Sequence, residues 1–296
     1  MGHHHSHGHS HHHGEASSRM GWAFVLNLCF TVIEFIGGWL TNSTAIMADA
    51  VHDLGDSLSI GTAWLLNKIS DKGADASYTY GYKRLSLFGA LVNGIVLVVG
   101  SVWILTEAIP RLFNPVMPHT EGMILLAILG VAVNGYAAYK LSGGKTLNEK
   151  VLNWHLLEDV LGWVAVLIVA IVMQFVDWPI LDPLLSVGFT LFILVNVLRN
   201  LRATAQLFFQ ATPDKTLVNK IESALLKVEN VEAVHHLHLW SLDGEHHVLT
   251  AHINTQPEFK IEGYLLLKQQ LEKAIEEFDL THTTLEIELN SEVCRD

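Results

Sequence analysis

Six stretches of this chain are each long and apolar enough to cross a bilayer: about Met20–Leu40, Thr44–Lys68, Leu85–Ile109, Gly122–Leu141, Leu152–Val176 and Ile180–Leu198. A spanning helix needs about 20 residues. Lipid offers no partner to a backbone N–H or C=O, so such stretches fold as helices. Composition agrees: 16% of the 296 residues are charged, against about a quarter in soluble domains. Most of the charge lies before residue 20, in short loops and after residue 198. The chain therefore reads as residues 1–18, a disordered His-rich tail; 19–204, a six-helix transmembrane domain; and 205–296, a soluble domain. The formal net charge of −12 argues against nucleic acid as a partner.

Lys and Arg in short loops set orientation. Arg19, Lys68, Lys72, Lys83, Arg84, Lys140, Lys145, Lys150, Arg199 and Arg202 fall on one side, and Arg111 alone on the other. Both termini are thus expected in the cytoplasm. Eight of the 18 histidines precede residue 14, and their interruption by Ser and Gly favours a native metal-binding tail over an affinity tag. Beyond residue 198, Thr212–Val228 reads as a helix, with Thr212 or Asp214 as N-cap. Val231–Leu242 and His246–Asn254 read as strands joined at Asp243-Gly244, a hairpin signal. Lys260–Phe278 reads as an amphipathic helix with Leu265, Leu266, Leu271 and Ile275 towards a core. Thr281–Leu289 reads as a third strand. The order is αββαβ, a ferredoxin- or metallochaperone-like unit with a small sheet under two helices.

Ionisable residues inside the apolar stretches carry the chemistry. Asp49, His52, Asp53 and Asp56 lie in the second, and charge there is expensive unless paired, hydrated or ligating. His52 and Asp56 are four residues apart and share a helix face. His155 and Asp159 repeat the spacing in the fifth. Two such helices supply four N and O ligands, a set that suits Zn²⁺ better than hard cations or copper(I). Ligation needs neutral imidazoles, so metal and protons compete for the same nitrogens, the condition for a metal/proton antiporter. Asn93 and Asn134 read as packing residues, Glu34 as a cavity-facing group, and Glu107 and Asp182 as solvated residues near helix ends. The two cysteines, Cys29 and Cys294, belong to no C-x-x-C and give neither a disulfide framework nor a cysteine zinc site. A membrane-anchored metal sensor would need no ligands in mid-membrane. An intramembrane zinc hydrolase, with Glu158 as base, would need an open water position that four ligands do not leave.

These motifs resemble the cation diffusion facilitator family, of the bacterial zinc-exporter kind and similar to vertebrate zinc transporters. The resemblance rests on N-x-x-F-x-x-x-E-x-x-G (Asn27, Phe30, Glu34, Gly37), A-D-A-x-H-x-x-x-D (Asp49, His52, Asp56), Y-G-x-x-R (Tyr80, Gly81, Arg84), H-x-x-x-D (His155, Asp159), D-P (Asp182, Pro183) and L-H-L-W-S-L from Leu237. It covers the chain after residue 18. It implies a homodimer in the bacterial inner membrane, with its cytoplasmic domains at the dimer interface, exporting Zn²⁺ by alternating access against protons. His52 in place of Asp resembles the zinc-preferring members. In the soluble domain, His235, His252, Glu286 and Glu288 fall where the family carries bridging metal. His236, His238, His246, His247 and His282 add candidates, and strand alternation puts His236 and His238 on one face. The loop from Asp71 to Tyr80 has no His, which argues against a metal site there.

Overall fold

The structure, a computed structural model, describes residues 12–70, 73–142, 147–289, 292 and 294, and the side chains among these from residue 21 on, except 22, 23, 67, 68, 70, 141, 147–152 and 155. They fall into two compact units, one drawn from Met1–Asp71 and Val92–Leu201, the other from Lys72–Leu91 and Arg202–Asp296.

Six long helices come first: α1 (His12–Thr41), α2 (Thr44–Ser70), α3 (Arg84–Phe113), α4 (Thr120–Leu141), α5 (Leu147–Phe175) and α6 (Leu181–Phe208). Five of them contain spans long and apolar enough to cross a membrane. The exception is α2, which has the length, 27 residues, but carries Asp49, Asp53 and Asp56. The helix α1 begins at His12, inside the stretch read as tail, because Glu15, Ala16 and Arg19 favour helix; residues 1–11 lie outside the described residues.

Within this unit α1 packs along α2 and α4 along α5. Small residues permit the close approaches, as in membrane helices generally. A Cβ on Gly130 of α4 would lie 2.2 Å from the Trp163 indole of α5, so the fully buried Trp163 needs glycine opposite it. Around it Ala45, Ile46, Met123, Ala127, Val166, Ala170 and Met173 form one core. Ala48, Val51, Leu97, Ile104, Ile193 and Val197 form another.

Asp182 corrects the sequence reading. It is not solvated at a helix end but 2% exposed. It accepts hydrogen bonds from the Ser43 hydroxyl (2.5 Å), the Thr44 amide (2.7 Å), the Thr44 hydroxyl (2.8 Å) and the Ala45 amide (3.3 Å). These amides open α2, so a carboxylate on α6 caps the N-terminus of α2, where the helix dipole favours negative charge. Ser186, one turn on, donates to the Thr44 carbonyl. Glu107 does lie exposed, 3.8 Å from Arg111.

In the second unit α7 (Lys215–Leu225) is capped by Asp214, which accepts from the Thr216 amide at 2.7 Å. That contact holds the Asp214 carboxyl below its ordinary value. Strands β1 (Val231–Ser241) and β2 (His247–Thr255) pair antiparallel, and β3 (Leu280–Glu288) lies parallel to β2, in the order β1-β2-β3. Between them Gly244 takes φ +106° and Asp243 accepts from the Glu245 and His246 amides. Burial pushes the Asp243 carboxyl up, but these bonds and His246 outweigh it and hold it low. The parallel pairing needs a crossover, which α8 (Tyr264–Ile275) provides. Its core face is Leu267, Leu271 and Ile275. Leu265 and Leu266, expected inside, are 73% and 61% exposed, because the buried stripe runs i, i+4, i+8 from Leu267. The core also takes Ile221, Leu225, Leu239, Leu249, Ala251 and Ile253.

Candidate metal centres

Helix α2 brings His52 and Asp56 to one face, and α5 brings Asp159 against them. His52 Nε2 lies 3.7 Å from Asp56 Oδ2 and 3.7 Å from Asp159 Oδ1. One ligand atom from each of the three falls within 4.8 Å of the others. His155 sits in α5 one turn before Asp159, and its side chain lies outside the described residues. Phe189 of α6 stands edge-on to the His52 ring at 5.9 Å. The group opens on a cavity of about 290 Å³, with Ser59, Asn93, Glu158, Asn196 and Asn200 among its walls. Zn–N and Zn–O bonds are about 2.0–2.2 Å. Atoms 3.7 Å apart can therefore ligate one such ion tetrahedrally.

Behind this face the carboxylates are closed off. Asp49, Asp53 and Glu34 are 3%, 6% and 0% exposed. Neither Glu34 oxygen nor Asp49 Oδ2 has a hydrogen-bond partner among the described residues. Asn27 donates to the Ser57 hydroxyl and the Asp53 carbonyl, joining α1 to α2. Asn93 donates to the Ser59 hydroxyl at 2.7 Å, as expected for a packing residue. Asn196 and Asn200, one turn apart on α6, escaped the sequence reading although their i, i+4 spacing was visible.

The open face of the small sheet gathers a second group. His235 and His252 stand opposite each other across β1 and β2, and both reach Glu288. His235 Nε2 is 2.9 Å from Glu288 Oε2, and His252 Nδ1 is 2.7 Å from Oε1. Burial pushes the Glu288 carboxyl up, but these hydrogen bonds outweigh it and hold it below its ordinary value. Cys294 Sγ lies 3.6 Å from His252 Nδ1. His235, His252, Glu288 and Cys294 bring their ligand atoms within 4.8 Å of one another.

Two expectations change here. Glu286 lies 3.8 Å from His252 Nε2 with its side chain 52% exposed and outside that group. Cys294, set aside for want of a C-x-x-C, belongs to it; 42 residues separate it from His252, and no spacing motif could reveal it. The strand also breaks its alternation. Register shifts between His235 and His238, where His236 takes φ +46°. This bulge sets the His236 ring 5.1 Å from that of His235 and 5.2 Å from that of His252. His238 instead lines a small cavity with Gln210 and Thr212. His246 pairs with Asp243 at 2.6 Å, His247 leaves Nδ1 buried without a hydrogen-bond partner among the described residues, and His282 packs on Tyr80.

Known proteins share this plan. Residues 22–209 match the family model of the cation efflux transmembrane domain, and residues 213–290 that of the cation efflux protein cytoplasmic domain. The chain is 31% identical over 292 residues to the cadmium, cobalt and zinc/H(+)-K(+) antiporter of Bacillus velezensis, covering 97% of this chain and 92% of that protein. It is 32% identical over 276 residues to the zinc transporter ZitB of Yersinia pseudotuberculosis, covering 92% and 88%. With the metal cation efflux system protein CzcD of Cupriavidus metallidurans it shares 31% over 292 residues, covering 97% and 90%. The chain belongs to the cation efflux, or cation diffusion facilitator, family: it is an integral membrane cation transporter and not an enzyme.

Proposed function

We propose that this protein exports Zn²⁺ from the cytoplasm in exchange for protons, by alternating access, at a tetrahedral site of His52, Asp56, His155 and Asp159. The observation that carries the reading is the convergence of His52, Asp56 and Asp159 within 4.8 Å at the end of a polar-walled cavity. The names of relatives that move zinc, cadmium and cobalt agree with a borderline divalent cargo. Two imidazoles make Zn²⁺ the preferred ion and give protons a place to compete with it. The cavity walls run from His52 to Ser59 on α2 and from Phe189 to Asn200 on α6, towards the helix ends that carry the Lys- and Arg-rich loops. On that orientation the site faces the cytoplasm here, and the protein acts as a homodimer in the bacterial plasma membrane. Its organisation is a His-rich tail (1–18), a six-helix membrane domain (19–204) and a cytoplasmic αββαβ domain (205–296).

Reconstituted into liposomes, the protein should acidify or alkalinise the lumen only when Zn²⁺ is supplied, in the sense opposite to zinc movement. Zinc flux without any proton flux would end the antiport reading. Topology has its own check. Cysteine placed at Asn114, in a cysteine-free background, should react with an impermeant maleimide added outside intact cells, and cysteine at Ser142 should not. The reverse pattern would invert the direction of transport.

The second group is proposed as a regulatory zinc site of His235, His252, Glu288 and Cys294, with the His236 ring beside it and Glu286 at its rim. In the full-length protein, Glu288→Gln should remove one equivalent of bound Zn²⁺ per chain, measured by calorimetry, while the membrane-site equivalent remains. Undiminished stoichiometry in that variant would exclude the site.

A further inference from the structure

The cavity beside the membrane site has polar side chains on its walls. Five polar side chains from four helices meet on it: Ser59 of α2, Asn93 of α3, Glu158 of α5, and Asn196 and Asn200 of α6. None belongs to the group that closes on His52. Asn196 and Asn200 are exposed amides in an otherwise apolar segment, and they repeat one turn apart and line the same hollow. The hollow measures about 290 Å³. At about 30 Å³ per water, that is room for a divalent cation with its whole six-water shell.

We infer that Ser59, Asn93, Glu158, Asn196 and Asn200 form a staging site that holds the hydrated divalent cation by outer-sphere hydrogen bonds, before it is stripped of water at His52, Asp56 and Asp159. The inference rests on the transport site proposed above. The chemistry differs between the two stations. Amide and hydroxyl oxygens accept hydrogen bonds from metal-bound water, and they do not titrate. Glu158 supplies one negative charge, which draws the cation in at long range. Such a set binds weakly and releases quickly, while imidazole and carboxylate displace water from the ion itself. Dehydration then proceeds next to the ligands that replace the lost water.

A hydrated shell hides the identity of the ion it surrounds. Residues that touch only that shell therefore set capture and not preference. Uptake of Zn²⁺ and Cd²⁺ by inverted vesicles should show KM raised about tenfold for both ions, the loss of about one charge-assisted or amide hydrogen bond, in Glu158→Gln and in the Asn196→Leu/Asn200→Leu pair. The kcat, the zinc-to-cadmium ratio and the equilibrium zinc binding of the membrane site should stay at wild-type values. The Glu158→Gln effect, relative to wild type, should shrink between about 0.02 and 0.5 M KCl as screening rises. The Asn196→Leu/Asn200→Leu effect should not. If the leucine pair does not assemble, Asn196→Ser/Asn200→Ser, which keeps hydrogen-bonding groups, should give an intermediate KM. A fall in kcat at unchanged KM, a shifted zinc-to-cadmium ratio, or a Glu158→Gln effect indifferent to salt would overturn the staging site. Failure of the transport site itself is separately visible, as undiminished equilibrium zinc binding in Asp56→Ala.

Discussion

Asp56→Ala is expected to abolish zinc transport while leaving a folded, dimeric membrane protein. The carboxylate faces His52 across 3.7 Å and opens on the cavity, so its removal leaves no large apolar void in either helical core. What it removes is one of the two carboxylates that the proposed site places around a divalent ion. Losing one partner of such a charged contact costs several kcal/mol, and about 4 kcal/mol is about a thousandfold in affinity. At micromolar zinc the variant would then run almost empty. Calorimetry on purified protein and uptake by inverted vesicles both read this directly, and size-exclusion chromatography checks the fold. Wild-type uptake by Asp56→Ala would remove Asp56 from the site, and with it the four-ligand scheme.

The second large effect concerns stability. Asp182→Ala would leave the Ser43 and Thr44 hydroxyls and the Thr44 and Ala45 amides without their acceptor, all of them buried. Each orphaned buried donor costs about 1–3 kcal/mol. The sum, reduced by relaxation and by any water that enters, should remain several kcal/mol, a large fraction of a typical folding free energy of about 5–15 kcal/mol. The variant should show low yield in the membrane and a much lower midpoint of thermal unfolding in detergent. Asp182→Asn keeps one acceptor oxygen and loses the charge that complements the α2 dipole, so it should fall between the two. An Asp182→Ala protein that melts at the wild-type midpoint would show that the α6-to-α2 cap contributes nothing.

Asp182 also marks where the sequence stops speaking. Its partners lie 137 to 139 residues away, and a short-range reading saw only an acid before a proline. The same holds for Cys294, which meets His252 through tertiary packing. Leu265 and Leu266 misled for a different reason: three consecutive leucines leave the phase of a helix undetermined by one residue, and only the contact with the sheet selects Leu267. His236 was misplaced because a bulge defeats the period of two. By contrast the six long helices were legible: five have the length and apolarity that a bilayer imposes on a span, and α2 has the length. The His52–Asp56 pair was legible because the helix itself sets the i, i+4 geometry. Asp159 could be assigned to the same pole from its repeated spacing, but its approach to His52 is a fact of the folded bundle.

The acidic character of α2 bears on how this protein enters its membrane in the first place. Placed alone at the centre of the hydrocarbon layer, an Asp disfavours insertion by about 2.5–3.5 kcal/mol on biological scales, and α2 carries three within eight residues. On that arithmetic α2 would be left in the aqueous channel of the translocon. Yet α1 offers it polar contacts in mid-helix: the Asn27 amide donates to the Ser57 hydroxyl and the Asp53 backbone carbonyl, and the Thr31 hydroxyl lies within 3.3 Å of Ser57. The two helices are joined by a two-residue turn at Asn42 and Ser43. Partition into lipid is then a property of the α1–α2 hairpin, which hides its acids on the inside and presents Val25, Leu26, Val32, Ile33 and Ile36 to the acyl chains. Biogenesis would proceed by pairs of helices, with the least apolar member carried in by its predecessor.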